Sequence, residues 1–284
     1  MGAPARPRPR FTELREGRGS LAAMATAVGE HPEGLEGEAR DRDKGARVRA
    51  MFSDIAPTYD LLNGLLSFGV DRRWRAQAAA GALAALPAPG AGPRPRVLDV
   101  ACGTGDLTLA LKRQRPDAEV TGADFAEPML ELARAKARRR GAEVSFVVAD
   151  GTALPFPDAS FDVVTIGYGL RNFADPDAGL REFRRVLRPG GRLAVLEFPP
   201  PPRGPFGTLF RFYFRRLLPR LGGLVSGERQ AYAYLPESVL GFLTPEELTR
   251  RLQAAGFTGV GHESQTFGVS ALHLADVPRV RREP

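Results

Sequence analysis

A glycine-rich stretch, Asp99-Val100-Ala101-Cys102-Gly103-Thr104-Gly105, joins the apolar run Arg96–Val100 to a segment with helical periodicity, Leu107–Gln114. The run predicts a buried β-strand, and the glycines let the backbone bend sharply into a helix with no Cβ in the way of a ligand. A turn of this kind after a strand of a parallel α/β sheet lies at the edge where such sheets bind ligands. The stretch therefore predicts a ligand-binding turn, but by itself it does not identify the ligand.

The sequence around this turn alternates between strand and helix patterns, which predicts a parallel, doubly wound α/β sheet. The predicted strands are Arg96–Val100, Glu119–Ala123, Val144–Ala149, Phe161–Ile166 and Arg192–Phe198. The predicted helices are Leu107–Gln114, Pro128–Arg140, Ala178–Leu187 and Pro245–Ala255. Two further strand-like runs, Gly259–Gln265 and Ser270–Ala275, have no long helix between them, so we expect an antiparallel hairpin at the sheet edge.

Carboxylates end three successive predicted strands, and they favour a cationic, nucleoside-containing cofactor. Asp99 would repel a pyrophosphate, and Thr108 stands where a dinucleotide-binding fingerprint needs its third glycine. A sulfonium with a free amino group would instead be stabilised by Asp99. Asp124 can accept hydrogen bonds from both ribose hydroxyls, with Phe125 available to flank the adenine, and Asp150 is placed at the adenine edge. The alternative is that these acids only cap helices or line turns.

The composition excludes several kinds of site. The single cysteine, Cys102, excludes an internal disulfide and a cysteine-rich zinc site, which fits a reducing, cytoplasmic compartment. We expect no metal site, because the histidines do not cluster with carboxylates; they are His31, His262 and His273. No apolar stretch is long enough to cross a bilayer. The formal net charge of +7 is compatible with a nucleic acid partner, an anionic membrane or a merely soluble surface.

Further motifs are spread along the chain. They are Tyr59–Gly69 followed by Trp74, Phe161–Phe173 with its Gly169-Leu170-Arg171-Asn172 core, Arg185–Phe198, Tyr232–Ser238 and Gly268–Leu274. In this order they resemble the signatures of the ubiquinone/menaquinone C-methyltransferase family (UbiE/MenG), and the resemblance covers Val48–Val277. It implies the class I methyltransferase fold, a Rossmann-like, doubly wound, seven-stranded sheet with an antiparallel edge hairpin. It also implies S-adenosyl-L-methionine as cofactor and methylation of a ring carbon of a prenylated quinol.

The resemblance implies roles for residues at the matching positions. The implied cofactor-binding residues are Asp99, Gly103, Thr104, Gly105, Asp124, Phe125, Asp150, Gly151 and Gly167. The implied catalytic residues are Arg171, Asn172, Asp60 and Tyr59. We expect Arg171 to stabilise an oxyanion on the acceptor, since a guanidinium stays protonated, and Asp60 to be the better candidate for the base. Arg171→Ala should then lose turnover but keep its affinity for the cofactor.

The chain departs from the family pattern at three places. Asp71 stands where the family usually has histidine, which removes an imidazole. Gly167 replaces a small polar residue and removes a hydroxyl from the cofactor pocket. Pro199–Pro202 follow the Glu-Phe pair where serine is usual, which alters the local shape of the lid.

The chain divides into three predicted regions. Residues 1–44 are poor in large apolar side chains and are predicted to be a disordered tail. Residues 45–92 are predicted to be an N-terminal helical cap and linker, because the helical pattern of Val48–Ala85 ends in the Pro- and Gly-rich segment Pro87–Pro93. Residues 93–280 are predicted to form the methyltransferase domain.

The segment Arg203–Val225 combines aromatic and aliphatic side chains with arginines and contains no acid. This pattern predicts an amphipathic helix at a membrane surface, where a polyprenyl quinol would be found. The alternative is a lid helix whose arginines are solvated. We therefore expect a cytoplasmic protein with peripheral contact at the inner face of the cell membrane, and a homodimer is compatible with the sequence.

The sequence leaves the acceptor open. We favour demethylmenaquinol, and the methoxy-benzoquinol precursor of ubiquinone is the alternative. A small-molecule or sterol-type methyltransferase with the same core would not explain the N- and C-terminal signatures. A nucleic-acid methyltransferase would carry an Asn/Asp-Pro-Pro-Tyr-type motif where Gly167–Asn172 stands, so we expect no nucleic acid partner. A subunit that has lost its activity is disfavoured, because the cofactor residues are intact.

Overall fold

The computed structural model describes residues 45, 48, 50–54, 56, 67, 69–201, 204–212, 216 and 229–279. Its strands are β1 (Arg96–Val100), β2 (Glu119–Asp124), β3 (Ser145–Val148), β4 (Phe161–Gly167), β5 (Leu187–Glu197), β6 (Thr258–Gln265) and β7 (Ser270–Asp276). Its longer helices are α1 (Asp71–Leu83), α2 (Asp106–Gln114), α3 (Glu127–Arg139), α4 (Pro176–Val186), α5 (Pro205–Phe212), α6 (Arg229–Leu240) and α7 (Pro245–Ala254). A 3-10 turn spans Leu170–Asn172.

The strands form one seven-stranded sheet in the order β3-β2-β1-β4-β5-β7-β6. The first five strands in this order are parallel, whereas β7 is antiparallel to β5 and β6 is antiparallel to β7. This arrangement confirms the predicted doubly wound sheet with its antiparallel edge hairpin. Because the chain proceeds from β1 to β2 and β3 on one side and then returns to β4 on the other, the crevice beyond the carboxyl ends of β1 and β4 is the topological switch point.

Helices cover both faces of the sheet. One hydrophobic cluster joins α1 and α2 to the face that carries Val163, and another joins α4 and α7 to the face that carries Val164. Both valines are fully buried. When a strand is buried on both faces, residues of both faces are mostly apolar. The sequence of β4 therefore shows no strict alternation of apolar and polar residues. Since α1 belongs to the same cluster as the strands, it packs directly on the sheet.

Two elements begin two or more residues earlier than their predicted positions. For α4 the prediction began at Ala178, but Asp175 is the N-cap, accepting the N–H of Ala178 at 3.0 Å, and Pro176 follows as the first helical residue. For β5 the prediction began at Arg192, but the strand begins at Leu187, which pairs with Phe161. The next pair in the ladder is Val163 with Arg192, so residues 188–191 of β5 bulge out of the ladder.

The N-terminal region is described only in part. Residues 50–54 are helical, and α1 continues the predicted helical pattern after an interval that lies largely outside the described residues. The predicted tail, residues 1–44, also lies outside them, as does most of the predicted amphipathic segment between residues 203 and 225. In the part of the chain that the structure describes, no helix combines the length and the apolarity needed to span a bilayer.

Candidate functional site

The glycine turn follows β1 and has a backbone that suits close approach of a ligand. Ala101, Gly103 and Gly105 have φ angles of +50°, +54° and +82°. These left-handed angles are readily adopted by glycine and are strained for alanine. At Gly105 a Cβ would lie 3.1 Å from the Cβ of Ala133 on α3, so the turn also packs closely against the neighbouring helix. The predicted turn is therefore present, and it leads directly into α2.

Asp124 connects this turn to the end of β2. The residue is 5% exposed; its Oδ2 accepts the N–H of Gly103 at 2.8 Å, and its Oδ1 accepts the N–H of Ala126 at 2.9 Å. The structure thus brings the carboxylate predicted for the ribose hydroxyls against the glycine predicted for the cofactor. Phe125, the neighbour predicted to flank the adenine, is half-buried. One acidic side chain on β2 therefore fixes the turn after β1.

Asp99 lies beneath the turn and has no exposed surface. Its two carboxylate oxygens accept hydrogen bonds from the hydroxyls of Thr108 on α2 and Thr165 on β4, both at 2.7 Å. Burial raises the pKa of Asp99 to about 6, although the two threonine hydroxyls act in the opposite direction. From the sequence, Thr108 was noted only because it stands where a dinucleotide-binding fingerprint has its third glycine, and Thr165 was not identified. The available signal was a hydroxyl in the middle of a strand that is otherwise apolar after Asp162.

Asp150, Gly151 and Gly167 are also predicted to bind the cofactor, but their contacts within the protein already account for these residue types. Asp150 is exposed, and its Oδ1 accepts hydrogen bonds from the backbone N–H and the hydroxyl of Thr152 at 2.8 and 2.7 Å, as in an Asx turn. A Cβ on Gly151 would lie 2.3 Å from the ring of Phe173, and one on Gly167 would lie 3.1 Å from Leu107. Packing alone therefore favours glycine at both positions, more strongly at 151 than at 167.

Thr104, another predicted cofactor residue, is buried and accepts a hydrogen bond from Lys136 at 3.1 Å. The same ammonium group bonds to Asp106 at 2.6 Å. Nearby, Asp71 accepts a hydrogen bond from the hydroxyl of Ser67 at 2.7 Å and forms an ion pair with Arg75. Asp71 thus anchors the start of α1.

Arg171 is a buried partner of Glu197 on β5. The side chains are 6% and 3% exposed, and Nη1 lies 2.7 Å from Oε1 of Glu197. Nη1 also donates to the carbonyl oxygen of Tyr168, and the guanidinium lies 5.6 Å from the ring centroid of Phe198. Its Nε is buried without a hydrogen-bond partner among the described residues. Sequence reasoning predicted Arg171 for the site but missed Glu197, which balances its charge.

Asn172 lies next to Arg171 and is half-buried. Its Nδ2 lies 3.4 Å from the carbonyl oxygen of Tyr168, and its Oδ1 accepts a hydrogen bond from Tyr234 at 3.2 Å. Tyr168 has a φ of +60°, and its ring stacks on Phe198 with a centroid separation of 4.2 Å. An amide, a neutralised ion pair and two stacked rings thus lie together beyond β4 and β5. The two other predicted catalytic residues, Asp60 and Tyr59, lie outside the described residues.

A basic groove of about 910 Å³ runs between α1, α2 and α3. Its cationic lining residues are Arg72, Arg75, Lys112, Arg113, Lys136, Arg139 and Arg140, and its acidic ones are Asp71, Asp106 and Glu143. Asp71 and Asp106 are already engaged with Arg75 and Lys136. The remaining cations of the groove have no carboxylate within ion-pair distance in the described part of the chain. The groove therefore presents a net positive surface.

Comparison with known proteins places these features in a family. The model of the ubiE/COQ5 methyltransferase family matches residues 40–276. A demethylmenaquinone methyltransferase of Thermus thermophilus is 59% identical over 228 residues, which are 80% of this chain and 100% of the relative. A demethylmenaquinone methyltransferase of Deinococcus radiodurans is 52% identical over 83% of this chain and 94% of the relative. The ubiquinone/menaquinone biosynthesis C-methyltransferase UbiE of Geobacter sulfurreducens is 46% identical over 82% of this chain and 90% of the relative.

Solved structures with the same architecture are more distant. The cyclase SpnF gives a TM-score of 0.55 at 22% identity, covering 74% of this chain and 81% of that chain. A SAM-dependent methyltransferase from Thermotoga maritima, described as a possible histamine N-methyltransferase, gives 0.53 at 19% identity, covering 80% of this chain and 98% of that chain. At this level of identity the likeness shows the fold alone, which hosts more than one chemistry.

Proposed function

The chain belongs to the ubiE/COQ5 methyltransferase family, and we propose that it transfers the methyl group of S-adenosyl-L-methionine to a ring carbon of demethylmenaquinol. The acceptor is favoured because the relatives that are 59% and 52% identical are both named demethylmenaquinone methyltransferases. The second candidate acceptor is the prenylated methoxy-benzoquinol precursor of ubiquinone. It is supported by the Geobacter sulfurreducens relative, whose name includes both quinones.

The observation that best supports methyl transfer is the hydrogen bond from the N–H of Gly103 to Asp124. It joins a carboxylate to the glycine turn at the switch point of the sheet. When bound, S-adenosyl-L-methionine supplies an electrophilic methyl group on a sulfonium. We assign Asp124 to its ribose hydroxyls and the glycines at 103 and 105 to close backbone approach. Asp99 is assigned to the stabilisation of positive charge from below the turn.

The acceptor is assigned to the space beside the 3-10 turn. Methylation of a ring carbon requires the neighbouring hydroxyl of the quinol to lose a proton, so the site should stabilise a developing oxyanion. Arg171 already neutralises the buried carboxylate of Glu197, so its charge is only partly available to a second anion. We therefore revise its expected role: Arg171 keeps this part of the site neutral, and Asn172 supplies the hydrogen bond. The assignment of Asp60 as base stays a prediction.

The test is turnover on defined acceptors. The full-length protein is incubated with S-adenosyl-L-methionine and either demethylmenaquinol or the methoxy-benzoquinol, and methylated product is measured by mass spectrometry. We expect product from demethylmenaquinol. Product only from the methoxy-benzoquinol would replace the acceptor, and no product from either would contradict the proposal. In a deletion strain the matching result is accumulated demethylmenaquinone, whereas an unchanged quinone profile would contradict it.

We also propose contact with an anionic membrane, which would bring the enzyme to a lipophilic quinol. The sequence of residues 203–225 supports this proposal, and so does the basic groove. Arg72 lies in the first turn of α1, where a helix dipole disfavours a cation, so helix stability does not explain its charge. Sedimentation with phosphatidylglycerol vesicles tests the contact. We expect the wild-type protein to bind the vesicles at low salt, and we expect this binding to be lost in Arg72→Glu/Arg113→Glu and in high salt. If the wild-type protein does not bind the vesicles at low salt, the proposal is contradicted.

A further inference from the structure

Tyr234 on α6 lies against the 3-10 turn that follows β4, and it is not among the residues predicted for the site. Its hydroxyl donates to Oδ1 of Asn172 at 3.2 Å, while Nδ2 of Asn172 lies 3.4 Å from the carbonyl oxygen of Tyr168. The asparagine amide is therefore held from both ends. One end is held by a side chain of α6 and the other by the backbone just beyond β4.

These two contacts together hold the amide in one orientation. If the amide of Asn172 were rotated by a half turn, its oxygen would face the carbonyl oxygen of Tyr168, and two acceptors would meet with no hydrogen between them. Burial raises the pKa of the Tyr234 hydroxyl, so this group stays protonated and can donate. The carbonyl oxygen of Tyr168 can only accept, so it selects this orientation, and the Tyr234 hydroxyl, which can donate or accept, holds the amide in it. An amide nitrogen carries two hydrogens, and among the described residues only one hydrogen of Nδ2 has an acceptor, so the other can be donated to a ligand.

The neighbourhood of Asn172 explains why an oriented amide would matter there. The adjacent Arg171 is committed to Glu197, with Nη1 2.7 Å from Oε1, so the two charges largely cancel. An oxygen that develops negative charge beside this pair gains little from a balanced guanidinium. It gains more from a fixed neutral donor, because a preorganised dipole needs no reorganisation during the reaction.

We propose that Tyr234 is a positioning residue, which orients the amide of Asn172 so that Nδ2 donates a hydrogen bond to the ring oxygen of the acceptor as that oxygen loses its proton. The identity of that oxygen rests on the proposed quinol methylation, whereas the orientation of the amide does not. Tyr234 also lies on the helix that follows the predicted membrane-facing segment. The position of α6 and the reactivity of the site are thus coupled through one hydroxyl.

Turnover of matched variants tests the positioning role. Tyr234→Phe removes only the hydroxyl, and we expect kcat to fall between about two- and tenfold, with KM for S-adenosyl-L-methionine unchanged. Asn172→Ala should lower kcat by about 100-fold, as for the loss of one oxyanion donor. Asn172→Asp should be slower than Asn172→Ala, because a carboxylate repels an oxyanion. The double variant Tyr234→Phe/Asn172→Ala should be no slower than Asn172→Ala.

A matched control separates positioning from a general loss of structure. Ser160→Ala also removes one hydroxyl, at the opposite end of β4, where Oγ donates to the carbonyl oxygen of Pro157 at 2.6 Å. This control should keep the wild-type kcat. A wild-type kcat for Tyr234→Phe would overturn the proposal, and so would an additive effect of the two site substitutions.

A spectroscopic readout distinguishes this proposal from the proposed function. In ¹⁵N-labelled protein the side-chain amide resonances of Asn172 are identified by their absence in Asn172→Ala. We expect them to shift in Tyr234→Phe and to exchange faster with water, and unchanged resonances would overturn the orientation. If the wild-type protein methylates no prenylated quinol but the resonances move, the proposed function fails and the orientation stands.

Discussion

Removing the guanidinium of Arg171 should weaken the fold as well as the reaction. The loss of one partner of a buried ion pair costs about 3–5 kcal/mol, because the other charge stays buried. In Arg171→Ala the carboxylate of Glu197 keeps two donors, the backbone N–H of residue 171 at 3.2 Å and that of Phe198 at 2.8 Å. We therefore expect a loss near the lower limit, about 3 kcal/mol, which corresponds to a fall in Tm of about 6–12 °C.

Urea denaturation followed by circular dichroism measures this loss, and calorimetry on the same protein should show an unchanged affinity for S-adenosyl-L-methionine. A second variant tests the neutralising role. Arg171→Ala/Glu197→Gln removes the unpaired charge and should recover about 2 kcal/mol of stability, and it should also recover part of the turnover, because this part of the site is neutral again. Wild-type stability of Arg171→Ala would refute the buried pair. Turnover of the double variant no higher than that of Arg171→Ala would refute the neutralising role.

Three further predictions address other parts of the molecule. Asp124→Asn should weaken binding of S-adenosyl-L-methionine about tenfold or more by calorimetry; unchanged affinity would contradict the ribose assignment. Gly151→Ala should lower the free energy of unfolding by about 1–3 kcal/mol in urea, because its Cβ would press on the ring of Phe173; an unchanged midpoint would be the contrary result. Burial lowers the pKa of His273 to about 4, so the unfolded chain binds more protons between about pH 4 and 6.5. Stability should fall by up to about 3 kcal/mol as the pH decreases through that window, and His273→Gln should lack this loss.

Much of the fold was predictable because buried parallel strands have sequences that are largely apolar. The bounds of β1 were predicted to the residue, since the run Arg96–Val100 ends directly at the glycine turn. The larger errors occur where the end of an element depends on a local feature, such as a helix cap or a bulge. At Asp175 a side chain caps α4 before any apolar periodicity begins, and at Leu187 a strand starts ahead of a bulge. Neither device changes the hydrophobic pattern from which the prediction was made.

The carboxyl edge of the site was predictable for a different reason. Parallel strands end at the same edge, so acids that end successive strands must lie near one another, as Asp99 and Asp124 do. Their partners were not predictable in the same way. Thr165 is 66 positions from Asp99, and Tyr234 is 62 positions from Asn172. Only the folded sheet and the docked α6 bring these pairs into contact.

The two sides of the crevice differ in charge, and the difference suits a cation on one side and a developing anion on the other. Below the glycine turn Asp99 is buried with threonine hydroxyls and has no cationic partner within ion-pair distance among the described residues. Its buried carboxylate would therefore stabilise a nearby sulfonium strongly, because the interior screens charge poorly. Beyond β5 the carboxylate of Glu197 would by itself destabilise a nearby oxyanion, because like charges repel. Arg171 cancels that charge, so the acceptor side can stabilise an oxyanion with a neutral donor such as the amide of Asn172, without a buried negative charge to oppose it.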